Sequence, residues 1–240
     1  MKPTHHIVLS FLLISASAFA ADPAKPLAEK GALVFSDDFT RSELGDKWKT
    51  GIPAFTVTGA ALKGSQARDD HGAAIGASLA LPDGNVILEL KFRFDGANSI
   101  NVGLDDKSFK GVHAGHISRV VIKPNRVSLF DDKEGVMRND IYVLRKSADP
   151  KKKAEGNAMC KDRTAEFPLK LEQGIWYLLG IEIVGDQMRV SLDGKEAGRL
   201  KSAGLAHPTK PDLRLGVWGQ GKEALIDDVR IWSVKATATK

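Results

Sequence analysis

Val86-Ile-Leu-Glu-Leu-Lys-Phe-Arg-Phe-Asp95 decides the fold class. Val86, Leu88, Leu90, Phe92 and Phe94 are apolar, and Glu89, Lys91, Arg93 and Asp95 stand between them. Successive side chains of a strand point to opposite faces, so this is a long strand with one face buried and one wet. Pro82-Asp83-Gly84-Asn85 supplies the turn that feeds it. The same period of two recurs at Met188–Asp193, Leu213–Trp218 and Asp228–Trp232. Asp193-Gly194 follows the first of these at once, the pair a two-residue hairpin favours because both central residues need positive φ.

Working outward, further strands are expected at Leu33–Phe39, Phe55–Val57, Ala60–Lys63, Ala73–Leu79, Ile100–Leu104, His116–Ile122, Arg126–Phe130 and Trp176–Val184. Many short strands joined by Gly, Pro, Asp and Asn turns indicate an all-β sandwich. Residues 138–166 fit no strand pattern and read as a long charged insertion, with room for a helical turn. Loops of that length in a compact domain are functional or disordered.

The chain opens with Lys2, an apolar run from Ile7 to Phe19, and Ala18-Phe19-Ala20. Residues 1–20 match a secretory signal peptide, and the run is too short for a membrane anchor, which takes about 20 apolar residues. Residues 21–31 read as a Pro-containing linker, 32–234 as the sandwich and 235–240 as a polar tail. The protein is expected to be secreted or periplasmic, and a monomer. Cys160 is the only cysteine, so no intrachain disulfide can form, and it reads as a loosely buried thiol. With 35 basic and 30 acidic residues the net charge is +5. The basic residues are dispersed and lack interleaved aromatics, which argues against a nucleic-acid surface.

Three motifs then carry a resemblance. Trp176-Tyr177, Gly185-Asp186 and Met188-Arg-Val-Ser-Leu-Asp193-Gly194-Lys195 are similar to the central hairpin of concanavalin A-like and laminin-G-like jelly rolls. Val34-Phe-Ser-Asp-Asp-Phe39 resembles their first strand, and Ala224-Leu-Ile-Asp-Asp-Val-Arg-Ile-Trp232 their last. The nearest subgroup is the exported family called 3-keto-disaccharide hydrolases. The resemblance implies a two-sheet antiparallel jelly roll and an exported carbohydrate-binding or carbohydrate-processing role. A non-catalytic adhesion module that binds protein at the cell surface stays open beside it.

The candidate sites follow. Asp37-Asp38 and Asp227-Asp228 fall on terminal strands that run side by side in such folds, where a structural Ca²⁺ could sit between carboxylates. His113 and His116 have metal-like spacing, but residues three apart on a strand face opposite ways. A ligand groove lined by His113, His116 and Arg119 suits them better; alternation puts His116 and Arg119 on opposite faces, so the groove needs either a bulge near Gly115 or the loss of one of them, His116 before Arg119. Asp131 and Asp132, where a strand gives way to a loop, are candidates for hydroxyl contacts or acid–base work, with Asp131 and His116 the candidate bases. Trp218 is either a stacking platform for sugar or a residue covered by other structure. Glycosidases of the two-carboxylate kind need paired carboxyls, and before its terminal Asp95 the strand from Asn85 offers only Glu89. No Gly-x-Ser-x-Gly elbow, P-loop or dinucleotide fingerprint occurs.

Overall fold

The computed structural model describes residues 25–235, so the signal-peptide reading of 1–20 lies outside the described residues. Fifteen strands, numbered in chain order, build two antiparallel sheets. The eight-stranded sheet runs β13 (Lys195–Lys201), β12 (Gln187–Leu192), β11 (Trp176–Val184), β6 (Val86–Asp95), β15 (Glu223–Val234), β4 (Ala61–Ser65) and β3 (Phe55–Thr58). Its eighth strand, β1 (Lys30–Asp37), pairs with the second half of β15, while β4 pairs with the first half. The seven-stranded sheet runs β10 (Thr164–Pro168), β9 (Arg126–Asp131), β8 (His116–Lys123), β7 (Ser99–Asp105), β14 (Asp212–Trp218), β5 (Ala73–Ser78) and β2 (Trp48–Ile52). The architecture is the two-sheet antiparallel sandwich expected from the alternation.

One core fills the space between the sheets. Val86, Leu88, Leu90, Phe92 and Phe94 of β6 are all fully buried. They meet Ile100, Val102 and Leu104 of β7, Val120 and Ile122 of β8, and Leu213, Leu215 and Val217 of β14. On β15 the core positions switch from even to odd: Ala224 and Ile226, then Val229 and Ile231. Strict alternation forbids that switch. An irregularity against β6 between Asp227 and Arg230 provides it, with Asp228 at φ 48°. Aspartate tolerates this left-handed conformation better than most residues. The Asp-Asp pair therefore marks a bulge.

The 138–166 segment is more ordered than its composition suggests. Helices α1 (Asn139–Lys146) and α2 (Pro150–Ala158) form a hairpin, and β10 begins inside the same segment. Asp149 caps α2 by accepting from the Lys151 N–H at 2.8 Å, and Pro150 opens the helix, where its missing N–H costs nothing. Val136, Ile141 and Cys160 make a second small core against Phe130 of β9, which anchors the hairpin on the seven-stranded sheet. Cys160 is buried, its Sγ donates to the Gly156 carbonyl, and burial pushes its thiol up. It is a packing residue. The first strand opens at Lys30, just inside the stretch read as linker.

Candidate functional site

The outer face of the seven-stranded sheet carries an ordered pattern. The inward residues of its strands are apolar, so the alternate positions point outward. These are Ala74 and Gly76 on β5, Asn101, Gly103 and Asp105 on β7, and Arg214, Gly216 and Trp218 on β14. Cross-strand register turns them into rows. One row runs Lys49, Gly76, Arg214, Gly103, Arg119, Phe130 across β2, β5, β14, β7, β8 and β9. Arg214 thus has a glycine on each side. A Cβ on Gly103 would stand 2.4 Å from Arg214 Nη2, so the guanidinium lies flat over that glycine. The next row runs Ala74, Gly216, Asn101 and Val121. Small side chains leave a cleft of about 200 Å³ lined by Lys49, Gly51, Gly76, Asp105, Lys107 and Arg214.

His116 joins this face through the bulge that its spacing required. Leu104 pairs with Ser118, but Asp105 pairs with His116, so Ile117 is the extra residue. A tight turn at His113–Gly115 precedes it, with Ala114 and Gly115 both at positive φ. A Cβ on Gly115 would lie 2.5 Å from the Asp106 carbonyl, so only glycine fits there. His116 Nδ1 sits 3.0 Å from Asp105 Oδ1, and Asp105 also accepts from Arg214 Nε at 2.8 Å. A carboxylate accepts only, so Nδ1 carries a proton, and in the neutral imidazole the lone pair is on Nε2.

The two carboxylates of this cluster are pushed apart. Burial disfavours the Asp105 anion, but His116 and Arg214 outweigh it and hold the carboxyl below its ordinary value. Asp132 is fully buried, and burial pushes its carboxyl up, with Arg119 opposing only in part. Asp132 Oδ1 accepts from Arg119 Nη2 at 3.1 Å; Asp132 Oδ2 and Arg119 Nε, both buried, have no partner. Arg119 also covers the Phe130 ring, 4.6 Å from its centroid. Asn101 is nearly buried and its Oδ1 lacks a partner. At the margin, His113 stacks on Tyr142 of α1 at 4.0 Å, so the helical hairpin walls this side. Burial, with His116 and Lys146 nearby, lowers the His113 pKa.

Several expected site residues are elsewhere or do other work. Asp131 is no base. It is fully buried and accepts from Ser202 Oγ, the Gly204 N–H and the Glu134 N–H, which fastens the end of β9 to the turn at 203–206. Trp218 does lie on the outer face, but His71 stacks on it at 5.5 Å and Gly72 presses against its ring, so it is a covered wall.

The four aspartates of the terminal seam do come to paired strands, since Asp37 pairs with Val229. Their charges are answered by protein. Asp37 accepts from Arg41 twice, from Trp48 Nε1 at 2.7 Å and from the Phe39 N–H. These donors overcome burial and hold its pKa at about 2. Asp38 turns back on Thr40, Asp228 is bridged by Lys91 and Arg230, and Asp227 accepts from the Asp228 N–H. Among the described residues no three His, Cys, Asp or Glu side chains gather to hold a metal ion. This set does not fit Ca²⁺, which needs six to eight oxygens free to turn toward it.

Asp105, Arg214, Asn101 and the glycines escaped the sequence reading. Their signal was present in the alternation Asn101-x-Gly103-x-Asp105 and Arg214-x-Gly216, whose outward positions are small or charged.

Comparison with solved structures supports the fold. The chain is similar to the laminarinase from Rhodothermus marinus, with a TM-score of 0.57 at 13% identity over 88% of this chain and 100% of that one. It is similar to the Crh5 transglycosylase, with a TM-score of 0.55 at 16% identity over 87% and 88%. A sialidase matches with a TM-score of 0.55 at 15% identity over 87% of this chain, which spans only 19% of the sialidase. Identities this low speak for the fold alone, a concanavalin A-like jelly roll. No protein-family model and no curated protein matches the sequence.

Proposed function

We propose that this chain is an exported carbohydrate-binding or carbohydrate-processing domain whose ligand lies across the outer face of the seven-stranded sheet. The observation that carries the reading is the glycine-floored cleft beside a His–Asp–Arg cluster. A sugar ring needs a shallow floor for its C–H face and a ring of donors and acceptors for its hydroxyls. Gly51, Ala74 and Gly76 provide the floor, and Lys49, Asp105, Lys107, Asp212 and Arg214 the polar edge, with His116 held beside them by Asp105. Fold likeness to carbohydrate-active proteins adds an argument by analogy.

The catalytic version of this reading rests on His116. Asp105 fixes its tautomer and leaves Nε2 facing outward as a general base, held as bases are in sites with a third orienting group. Glycoside cleavage by the two-carboxylate route is not supported: Asp132 and Asp105 lie beneath the arginines, and Glu89 belongs to the other sheet. A 3-keto-glycoside needs only one base. The ketone acidifies the neighbouring C–H, the proton passes to His116 Nε2, and expulsion of the glycosidic oxygen leaves an unsaturated ketone. A glycan array probed with residues 21–240 tests the binding claim, and an array with no bound saccharide would refute it. Release of aglycone from a 3-keto-glucoside tests the chemistry. His116→Ala should slow it by about 10²–10⁴, and an unchanged rate would remove His116 from the role.

A further inference from the structure

We infer that the ligand is an anionic saccharide whose carboxylates or sulfates recur at about every second sugar, read by Lys49, Arg214 and Arg119. The inference rests on the carbohydrate reading above and deepens it. In the transverse row the three cations alternate with Gly76 and Gly103. Strands lie about 4.8 Å apart, so cations on every second strand stand about 10 Å apart. That is the length scale of a disaccharide. Gly76 lines the open cleft and leaves room for a neutral ring between Lys49 and Arg214, while the Arg214 guanidinium itself lies over Gly103.

The charge balance points the same way. Arg214 spends its Nε on Asp105, but its Nη2 reaches Asp105 only at 3.3 Å. Arg119 keeps 16% of its side chain exposed and faces a carboxyl that burial disposes toward its neutral form. Lys49 is exposed. Among the described residues no hydrogen bond or ion pair involves its ammonium. Lys107 and Lys110 flank the cleft by His113, and Lys107 reaches Asp212 only at 3.7 Å. Against these cations stand Asp105 and Asp132, both buried, and Asp212, which is partly exposed at the cleft and lies 3.7 Å from Lys107. Guanidinium groups take carboxylate or sulfate through two parallel N–H bonds, and both arginines are held in place by acids from beneath, which limits the ordering entropy lost on binding.

The test uses hyaluronan oligosaccharides, which carry one carboxylate per disaccharide, and the same oligosaccharides after carboxyl reduction. Calorimetric titration of residues 21–240 should show binding to the first and at least tenfold weaker binding to the second. Lys49→Ala, at an exposed position, should weaken the first by about threefold to tenfold and leave melting unchanged. Arg214→Gln should weaken it further. Equal affinity for native and reduced forms would overturn the charge proposal while leaving the carbohydrate reading intact. Equal affinity for polyglutamate would also overturn it, as binding of any polyanion. Failure to bind either oligosaccharide while neutral glycans bind on the array would refute it alone. Failure on every glycan would refute the reading it rests on as well.

Discussion

The outer faces of the two sheets are built from similar residues in opposite ways. On the eight-stranded sheet acids and bases answer each other laterally. Glu89 takes Lys30 at 2.7 Å, Lys91 takes Asp228, and Arg93 takes Asp95 at 2.7 Å. Farther along, Arg189 is held by Glu182 and Glu196, and Arg199 shares Glu196. Arg93 also lies over the Trp176 ring. On the seven-stranded sheet the acids Asp105 and Asp132 are buried, and the arginines they hold, Arg214 and Arg119, keep only part of their side chains exposed, with glycines between them. A face that neutralises itself with exposed pairs has little left for a ligand. A face whose acids are buried leaves Lys49 unpaired and holds its guanidinium groups in place. Composition alone does not separate the two, since both are rich in Arg, Lys, Asp and Glu.

The sharpest way to break this comparison is to remove one acid from each face. Asp105→Ala strips a buried carboxylate from between His116 and Arg214, both mostly buried themselves. Removing one member of a buried pair costs about 3–5 kcal/mol. Glu89→Gln breaks a pair in which both side chains are about a third exposed or more, and such pairs are worth about 0.2–1 kcal/mol. Urea unfolding of both variants reads the difference. Equal losses would mean that the acids below the groove are no more structural than a surface pair.

How much was legible follows from the same physics. The long strands were readable because a half-buried strand must alternate, and β6, β12, β14 and β15 do. The three strands that escaped, β2, β10 and β13, are all edge strands. Thr164-Ala-Glu-Phe-Pro168 and Lys195-Glu-Ala-Gly-Arg-Leu-Lys201 are polar, short of apolar residues, or end in Pro, as edges are when they avoid pairing with other chains. The site was harder. His116 reaches the outer face only through the bulge against β7, which the alternation of its neighbours does not announce. Asp131 and Asp132 looked alike, yet one is a fully satisfied acceptor and the other carries an unpartnered oxygen. Trp218 read as a platform because His71, more than a hundred residues away, could not be seen to cover it. The covalent neighbours carry the strand pattern, whereas the site depends on register between strands far apart in sequence.

A second test sharpens the claim that Asp132 is disposed toward its neutral form. Its folded pKa is raised above the ordinary 3.8 by burial. The stability linked to that raised value is fully present below about pH 3.8 and is lost as pH rises through the folded pKa. Asp132→Asn keeps the shape without the titration. Relative to the parent, it should gain stability as pH climbs from about 4 through the folded pKa, then hold level. Denaturant midpoints across that range measure it. A variant that instead loses ground with rising pH would show Asp132 to be a plain anion paired with Arg119.

Smaller still is the effect of a single methyl on each face. Gly103→Ala places a Cβ 2.4 Å from Arg214 Nη2, and Gly180→Ala on β11 places one 2.5 Å from Ser191 Oγ. In both cases the nearest atom ends a movable side chain, so both variants should fold, with modest shifts in melting. Only the first should disturb ligand. The Arg214 guanidinium must lift off the sheet and leave its register with Lys49 and Arg119. Affinity for whichever saccharide binds the parent should fall about tenfold, about 1.4 kcal/mol, for Gly103→Ala and stay level for Gly180→Ala. If both lose affinity together, the ligand does not distinguish the faces.

The smallest effect belongs to the seam where β1 meets β15, which tests whether lateral neutralisation is complete. Asp37 is held by Arg41 and Trp48, and Asp228 by Lys91 and Arg230, so a divalent cation would have to displace protein donors to enter. A cation bound at a hundredfold excess over its Kd would add about 2.7 kcal/mol to stability by mass action. The pairing observed here predicts no such gain: melting curves in millimolar Ca²⁺ and in EDTA should coincide. The control is Arg41→Met, which frees both Asp37 oxygens from their guanidinium. That variant should melt lower than the parent, and Ca²⁺ should recover part of the loss if the seam's carboxylates, once unpaired, can turn toward a metal. A Ca²⁺-dependent rise in the unaltered protein would show that the ion pairs yield to the metal, and the eight-stranded sheet would then not be a self-sufficient face.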